Sequence, residues 1–502
     1  MTHVFPRCYN RGGQAWKWCM SLAQRCTTMC QLKPIHAIFI ASGLHHNNYA
    51  VSKLLAFCAL SATGSLSYAS LIFSHIQSPN LFIYNTLIRA YSLSSQPQLA
   101  LHYFQLMLKD NNLLPDHHSF NFVILACANV KWVLAGKQVH NCVIKNGLAL
   151  FDAHVQTAII KFYGECKFLD DARKMFGEIS CVDAIQWNVL MKAYVKCNLA
   201  SEALKLFRHM LVSGAEADEF CVTTVLTACA QMGALWQGKW IHEYVKKMKG
   251  MELDVFFMTA LVDMYAKCGC VDVAEEVFEG MSKRNVFSWA AMIGGLALHG
   301  YARKAIHCLE RMQVDDGLRP DGVVLLGVLT ACTHAGLQEE GQLLLDNMEA
   351  RYGIRPKHEH YSCMVDLLCR AGQLEQALQL IRRMPMKPLA SVWGALLSGC
   401  GIYKNVDLAE LAVRELHKVL ENDDGAGGGV YVQLSNIYLC ARRAEDARRI
   451  RRMIGDRGLK KTPGCSMIEV DGKVNEFVSG DVSHFDRTRI CAMLGLLSLE
   501  LG

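Results

Sequence analysis

The amino-acid sequence predicts an all-α solenoid, a stack of helical hairpins, on three observations. The first is the stretch 184–218, which reads as two short amphipathic helices back to back. Trp187, Leu190, Met191 and Tyr194 recur at three- and four-residue spacing and share one face. Asn198 interrupts the pattern, a second helix carries Ala203, Leu204, Phe207 and Met210, and Gly214 ends it. A hairpin of 35 residues cannot bury both stripes alone and needs like neighbours. The second observation is that it has them: Trp187 is echoed by Tyr84, 103 residues earlier, and by Trp289, 102 residues later. The third is the register of two further runs. Cys127, Cys229 and Cys332 recur within ILACANV, VLTACAQMGAL and VLTACTHAGL, and the stretches 159–176, 261–278 and 364–381 resemble one another. Units of 35, 36 and 31 residues make up the period of 102.

In chain order, residues 1–20 contain Arg7, Arg11 and Lys17 and no acid, which suits an organellar targeting segment; an untargeted N-terminus is the alternative. Residues 21–80 form two degenerate units, the second over 48–80. Ile35-His36 falls where Val139-His140 and Ile241-His242 fall later. Those histidines sit about a hundred residues apart on separate units, so packing of the second helix is expected rather than convergence on a metal. Leu54 to Ile88 lacks charged residues, but Ser61, Thr63, Gly64 and Ser65 break the run, and no membrane insertion is expected.

The main array spans 81–388 in units 81–116, 117–152, 153–183, 184–218, 219–254, 255–285, 286–321, 322–357 and 358–388. Many join at Pro115-Asp116, Asp183, Asp218, Asp254 or Pro320-Asp321, where proline stops one helix and aspartate caps the next. Two more helical pairs occupy 389–458, separated by the flexible DDGAGGG at 423–429. The second pair is basic, with Arg442, Arg443, Arg448, Arg449, Arg451, Arg452 and Arg457 against Glu445, Asp446 and Asp456. A solvated helix face and a phosphate contact both fit it. Within 459–502 the period changes: Ile468 and Val470 alternate with polar residues, Asp471-Gly472 follows, then Val474 and Phe477. That pattern predicts a small β-hairpin. Arg489 to Leu501 predicts one short amphipathic helix.

Composition narrows the function. Hydrophobic residues make up 52% of 502, ample for a continuous core. The net charge of +6 is uneven, since residues 1–109 hold eight Lys or Arg and no acid, while the rest nets −2. No global positive field advertises nucleic acid, so any RNA contact comes from locally arranged side chains. The 22 cysteines are scattered through helical patterns without a Cys-x-x-Cys, and read as small buried hydrophobes in a reducing compartment.

The triplet of unit lengths resembles the P, L and S motifs of plant pentatricopeptide repeat (PPR) proteins. VWGALLSGC (392–400), YVQLSNIYLCARRAEDARRIRRMI (431–454) and KKTPGCSMIEVDGKVNEFVSGD (460–481) resemble the E motifs and E-plus or PG-box region of their RNA-editing subgroup. The resemblance implies a right-handed α-solenoid of helix-turn-helix repeats, ending before a complete DYW deaminase domain. Such repeats bind single-stranded RNA one base per unit, using two or three side chains. The family's fifth position and last residue carry over as Ser52 with Asn80, Asn85 with Asp116, Asn121 with Asp152, Thr157 with Asp183, Asn188 with Asp218, Thr223 with Asp254, and Thr259 with Asn285. Under the family code, Asn85 with Asp116 and Asn188 with Asp218 favour uracil, Thr157 with Asp183 guanine, and the Ser52 and Thr259 pairs adenine. Ala290 and Leu326 depart from the pattern and cannot hydrogen-bond a base.

Family members that deaminate cytidine need His-x-Glu and Pro-Cys-x-x-Cys to hold zinc. Neither occurs here, so a non-enzymatic chain without cofactor is expected. The resemblance then implies a site-recognition factor for C-to-U editing of organellar RNA in the mitochondrion, or alternatively the chloroplast. Its implied partners are a DYW-type deaminase in trans and multiple organellar RNA editing factor proteins. Two alternatives stay open: a protein-binding helical scaffold like the tetratricopeptide arrays, which repeat at 34 residues, and an RNA-binding factor for splicing or stability.

Overall fold

The computed structural model describes residues 19–500 apart from 111–112, 148–151, 249–253, 421–427, 457, 459–462, 471, 483 and 485. Residues 1–18 of the targeting segment expected at 1–20, most of the 423–429 linker and Asp471 of the expected turn therefore lie outside the described residues. The chain is an all-α solenoid of helical pairs with a two-stranded antiparallel sheet. It forms two compact units, one up to Cys221 and one from Val222 onward.

In the first unit, a pair such as Leu81–Ser92 and Gln98–Lys109 packs internally, and its first helix also packs on the next first helix, His117–Val130. First helices are therefore covered on more than one side. His117–Val130 buries Ser119, Phe120, Val123, Ile124, Ala126, Cys127 and Ala128, whereas its partner Val133–Lys145 buries only Gly136, Val139 and Val143. The sequence difference follows from this, with first helices apolar nearly all round and second helices carrying one stripe. Burial pushes the Cys127 thiol up to about 12, which keeps it protonated and inert. Asn198 takes a left-handed conformation (φ 59°) between Ala184–Lys196 and Ala200–Val212, which is why the apolar period breaks there.

The second unit continues the same pairing: after the second helix Leu235–Lys247 come the first helices Val255–Lys267, Val286–Leu298, Gly322–Ala335, His358–Arg370, Ala390–Tyr403 and Gly428–Cys440, with their second helices between. Among the described residues no helix is long and apolar enough to cross a membrane. The hairpin consists of β1 (Cys465–Val470) and β2 (Lys473–Val478), with Ile468 opposite Asn475 and Val470 opposite Lys473. Gly472 supplies the positive φ (72°) that so tight a turn requires. The final helix, Arg487–Glu500, begins two residues before the expected stretch and is not amphipathic. Met493, Leu494, Leu496 and Leu497 on it are all exposed.

Candidate nucleic-acid interface

The last residue of each unit from 48–80 to 255–285 caps the helix that follows. Asn80 accepts from the Ile83 N–H at 3.0 Å, Asp116 from Ser119 at 2.8 Å, and Asp152 from Val155 at 2.9 Å. Asp183 accepts from Gln186 at 2.8 Å, Asp218 from Cys221 at 2.7 Å, Asp254 from Phe257 at 2.8 Å, and Asn285 from Ser288 at 2.9 Å. The first four N–H groups of a helix have no internal partner, so a short acceptor side chain at this position stabilises each first helix. One carboxylate or amide oxygen is thereby held at the mouth of each of these first helices, whereas His358–Arg370 and Ala390–Tyr403 follow Lys357 and Leu389 and lack it.

The residues proposed for the fifth position divide by environment. Asn85 Nδ2 donates to Asp116 Oδ1 at 2.9 Å, across the boundary between units. Ser119 Oγ lies 2.6 Å from Asn85 Oδ1 and 2.9 Å from Asp116 Oδ1, and accepts from the Asp116 N–H at 3.2 Å. Burial alone would raise the Asp116 carboxyl, yet hydrogen bonds from Ser119 and Asn85 hold it below the ordinary carboxylate range. Asn85 and Asp116 are thus locked into one polar cluster, with an amide hydrogen and a carbonyl lone pair of Asn85 still to be used. Thr157 and Thr259 are half-buried and donate to carbonyls of their own helices, Ala153 O at 2.7 Å and Val255 O at 2.6 Å. Asn121 and Thr223 are also half-buried. Ser52 and Asn188 depart from the open groove position that the sequence suggested. They are only 5% and 7% exposed, and the Ser52 hydroxyl turns back to Tyr49 O at 2.8 Å. Among the described residues no three His, Cys, Asp or Glu side chains are grouped to hold a metal ion.

Comparison with known proteins gives this arrangement its family. Models described as PPR repeat match residues 82–112, 256–286, 287–316 and 352–385, and the model of the PPR repeat family matches 182–231. The E motif model matches 403–469. A putative pentatricopeptide repeat-containing protein of Arabidopsis thaliana is 56% identical over 491 residues, covering 97% of both chains. This chain belongs to the pentatricopeptide repeat family. A second Arabidopsis thaliana relative, named as chloroplastic/mitochondrial, is 37% identical over 96% of this chain and 76% of its own. Among solved structures, PPR10 in complex with an 18-nt psaJ RNA element is similar at 15% identity over 90% of this chain and 84% of that one, with a TM-score of 0.36.

One set of residues in this pentatricopeptide repeat chain escaped the sequence reading. Tyr49, Phe82, Ile185 and Phe220 in the first unit, and Phe256, Phe287 and Val323 in the second, are large, apolar and exposed. Each is the second residue of a first helix, three residues before the fifth position, so the two stand one turn apart on the same helix side. An isolated exposed apolar side chain needs no explanation, but a recurrence at one repeat position does. The signal was available in the sequence as an aromatic or branched residue directly after each unit's first. His118, His154 and Glu359 interrupt it.

Proposed function

We propose that this chain is a sequence-specific binder of single-stranded RNA in a plant organelle, the mitochondrion in preference to the chloroplast. In this reading it acts as the site-recognition factor for C-to-U editing, without deaminase activity of its own. The observation that carries the proposal is the Asn85–Asp116–Ser119 cluster. It holds an amide in one orientation at the boundary between two repeats, and the amide's remaining donor and acceptor match the N3–H and a carbonyl of uracil. The exposed apolar row supplies the second requirement of single-strand recognition, since a base stacked on an aromatic ring gains about 1–3 kcal/mol without regard to its identity. The remaining pairs, Asn121 with Asp152, Thr157 with Asp183, Thr223 with Asp254 and Thr259 with Asn285, serve the same way in their own repeats. Ser52 and Asn188 contribute more through packing.

The editing assignment is supported by the E motif match at 403–469. In this reading a DYW-type deaminase acts in trans, with multiple organellar RNA editing factor proteins as further partners. The direct test of recognition is Asn85→Thr in a gel-shift competition among RNAs differing at one base. Preference at that base should move from uracil to guanine by tenfold or more, the worth of about 1–3 kcal/mol of base discrimination. Equal weakening on every RNA would mark Asn85 as a general contact, and no change on any RNA would favour the protein-binding scaffold. Editing is tested by comparing organellar transcripts from plants with and without the gene. A lost cytidine conversion at one site supports it, and altered splicing or abundance with all conversions intact refutes it.

A further inference from the structure

The β-hairpin does not stand free of the repeats in its unit. Among the described residues of β1, only Glu469 is half-buried, the others being exposed. Its two carboxylate oxygens each lie 3.1 Å from the backbone N–H of Trp236, 233 residues earlier in the chain. Trp236 is the second residue of the helix Leu235–Lys247, whose own N-cap, Ala234, has no side chain able to accept. The Trp236 amide has no partner inside its helix, and a carboxylate there also meets the positive end of the helix dipole. A second contact lies beside the first, where Gln237 Nε2 donates to the carbonyl of Gly472, in the hairpin turn, at 2.9 Å. The turn lies over the Trp236 indole, so closely that a Cβ built on Gly472 would sit 3.4 Å from the ring.

We infer that the hairpin is a clasp, in which Glu469 provides the missing cap of the helix Leu235–Lys247 and joins the C-terminal region back to an early repeat of the same unit. Several properties follow. The clasp rests on a charge at a helix terminus, one amide hydrogen bond and the turn's contact with an exposed indole rather than on an extended apolar face, so it is reversible and weakened by salt. The apolar residues of β1, Met467, Ile468 and Val470, remain exposed while it is closed. A two-stranded hairpin is marginal alone, so closure and hairpin order reinforce each other. The clasp needs neither RNA binding nor editing.

The test is amide hydrogen exchange on the full-length protein, read at residue resolution around Trp236 and across 465–478. The Trp236 amide should be protected in the wild type and exchange about tenfold faster in Glu469→Lys, with helices such as Val286–Leu298 unchanged. Raising the salt should shift the wild type in the same direction. Because Glu469→Lys also changes the hairpin itself, Gln237→Ala approaches the contact from the other side. It should speed exchange across 465–478 while leaving its own helix formed. A Trp236 amide as unprotected in the wild type as in Glu469→Lys, or equally protected in both, overturns the clasp. So does a hairpin indifferent to Gln237→Ala.

Discussion

Three histidines in equivalent second-helix positions each meet a tyrosine: His36 with Tyr68, His140 with Tyr163 and His242 with Tyr265, every Nδ1–OH distance being 2.9 Å. The recurrence of the histidines was legible in the sequence. Their partners were less so, because Tyr163 and Tyr265 come from the next first helix whereas Tyr68 comes from the second helix Leu66–Ser74, so the histidine-to-tyrosine spacing is not constant along the chain. Burial lowers the pKa of all three histidines, and it pushes the Tyr163 hydroxyl up to about 12. A neutral imidazole accepting from a neutral phenol satisfies both groups. The folded state thus binds fewer protons than the unfolded chain once pH falls below the ordinary histidine value, about 6.5. These pairs leave stability intact above that value and reduce it as pH drops toward the lowered folded-state pKa. The urea midpoint should therefore fall between pH 7.5 and 5.5, and the double variant His140→Gln, His242→Gln should show a smaller fall. A wild-type midpoint flat over that range would contradict this. The same scale explains why Ser52 and Asn188 were misplaced: counting positions locates a side chain along a helix, whereas tight packing of neighbouring first helices decides whether it reaches solvent.

At the scale of the element, one contact repeats at the start of the units 81–116, 184–218 and 286–321. Phe73 meets Tyr84, Phe176 meets Trp187 and Phe278 meets Trp289, edge to face, with centroids 5.2, 4.8 and 4.7 Å apart. The aromatic of the first helix was plain in the sequence, and its ring partner on the preceding second helix shares the same period. Trp187→Ala should therefore cost about 3–5 kcal/mol. Hydrogen exchange should rise most in the helices that touch Trp187, and a uniform change across the first unit would count against the contact. The glycines of the second helices were a weaker signal. A Cβ on Gly136 would fall 2.1 Å from the buried Phe162 ring, and one on Gly238 would fall 2.4 Å from Met264 Sδ. Alanine gains about 1 kcal/mol of helix propensity over glycine, against about 1–3 kcal/mol for overpacking a rigid neighbour. Phenylalanine cannot flex aside whereas methionine can. Gly136→Ala should lower the melting temperature, and Gly238→Ala should leave it unchanged or raise it. The reverse order would mean that the two neighbours yield in a way their chemistry does not suggest.

For the whole molecule, the repeat pattern made the solenoid legible from end to end, because each unit is stabilised by like neighbours and the period survives in the sequence. It is blind to the division into two compact units at Cys221, which falls inside the unbroken helix Glu219–Met232. Charge is the other property of this scale, and it bears on how RNA would be held. With +6 over 502 residues, and a slight excess of acids from Asp110 onward, the chain has few cations to spare for phosphates. The exposed apolar row and the capped amides would then supply most of the affinity, and neither releases counterions. For single strands, log K falls with log salt at about −0.7 per phosphate neutralised. Two or three such contacts predict a slope of about −2, measured by titrating a labelled RNA between low and physiological salt. Replacing Phe82 and Phe256 by alanine should weaken binding about tenfold or more at every salt concentration and leave the slope unchanged, since stacking is lost and no charge is altered. A slope of about −6 or steeper, with no dependence on base identity or on those rings, would mean that the protein binds RNA only as a polyelectrolyte. The base-reading role of Asn85 and Asp116 would then have to be abandoned.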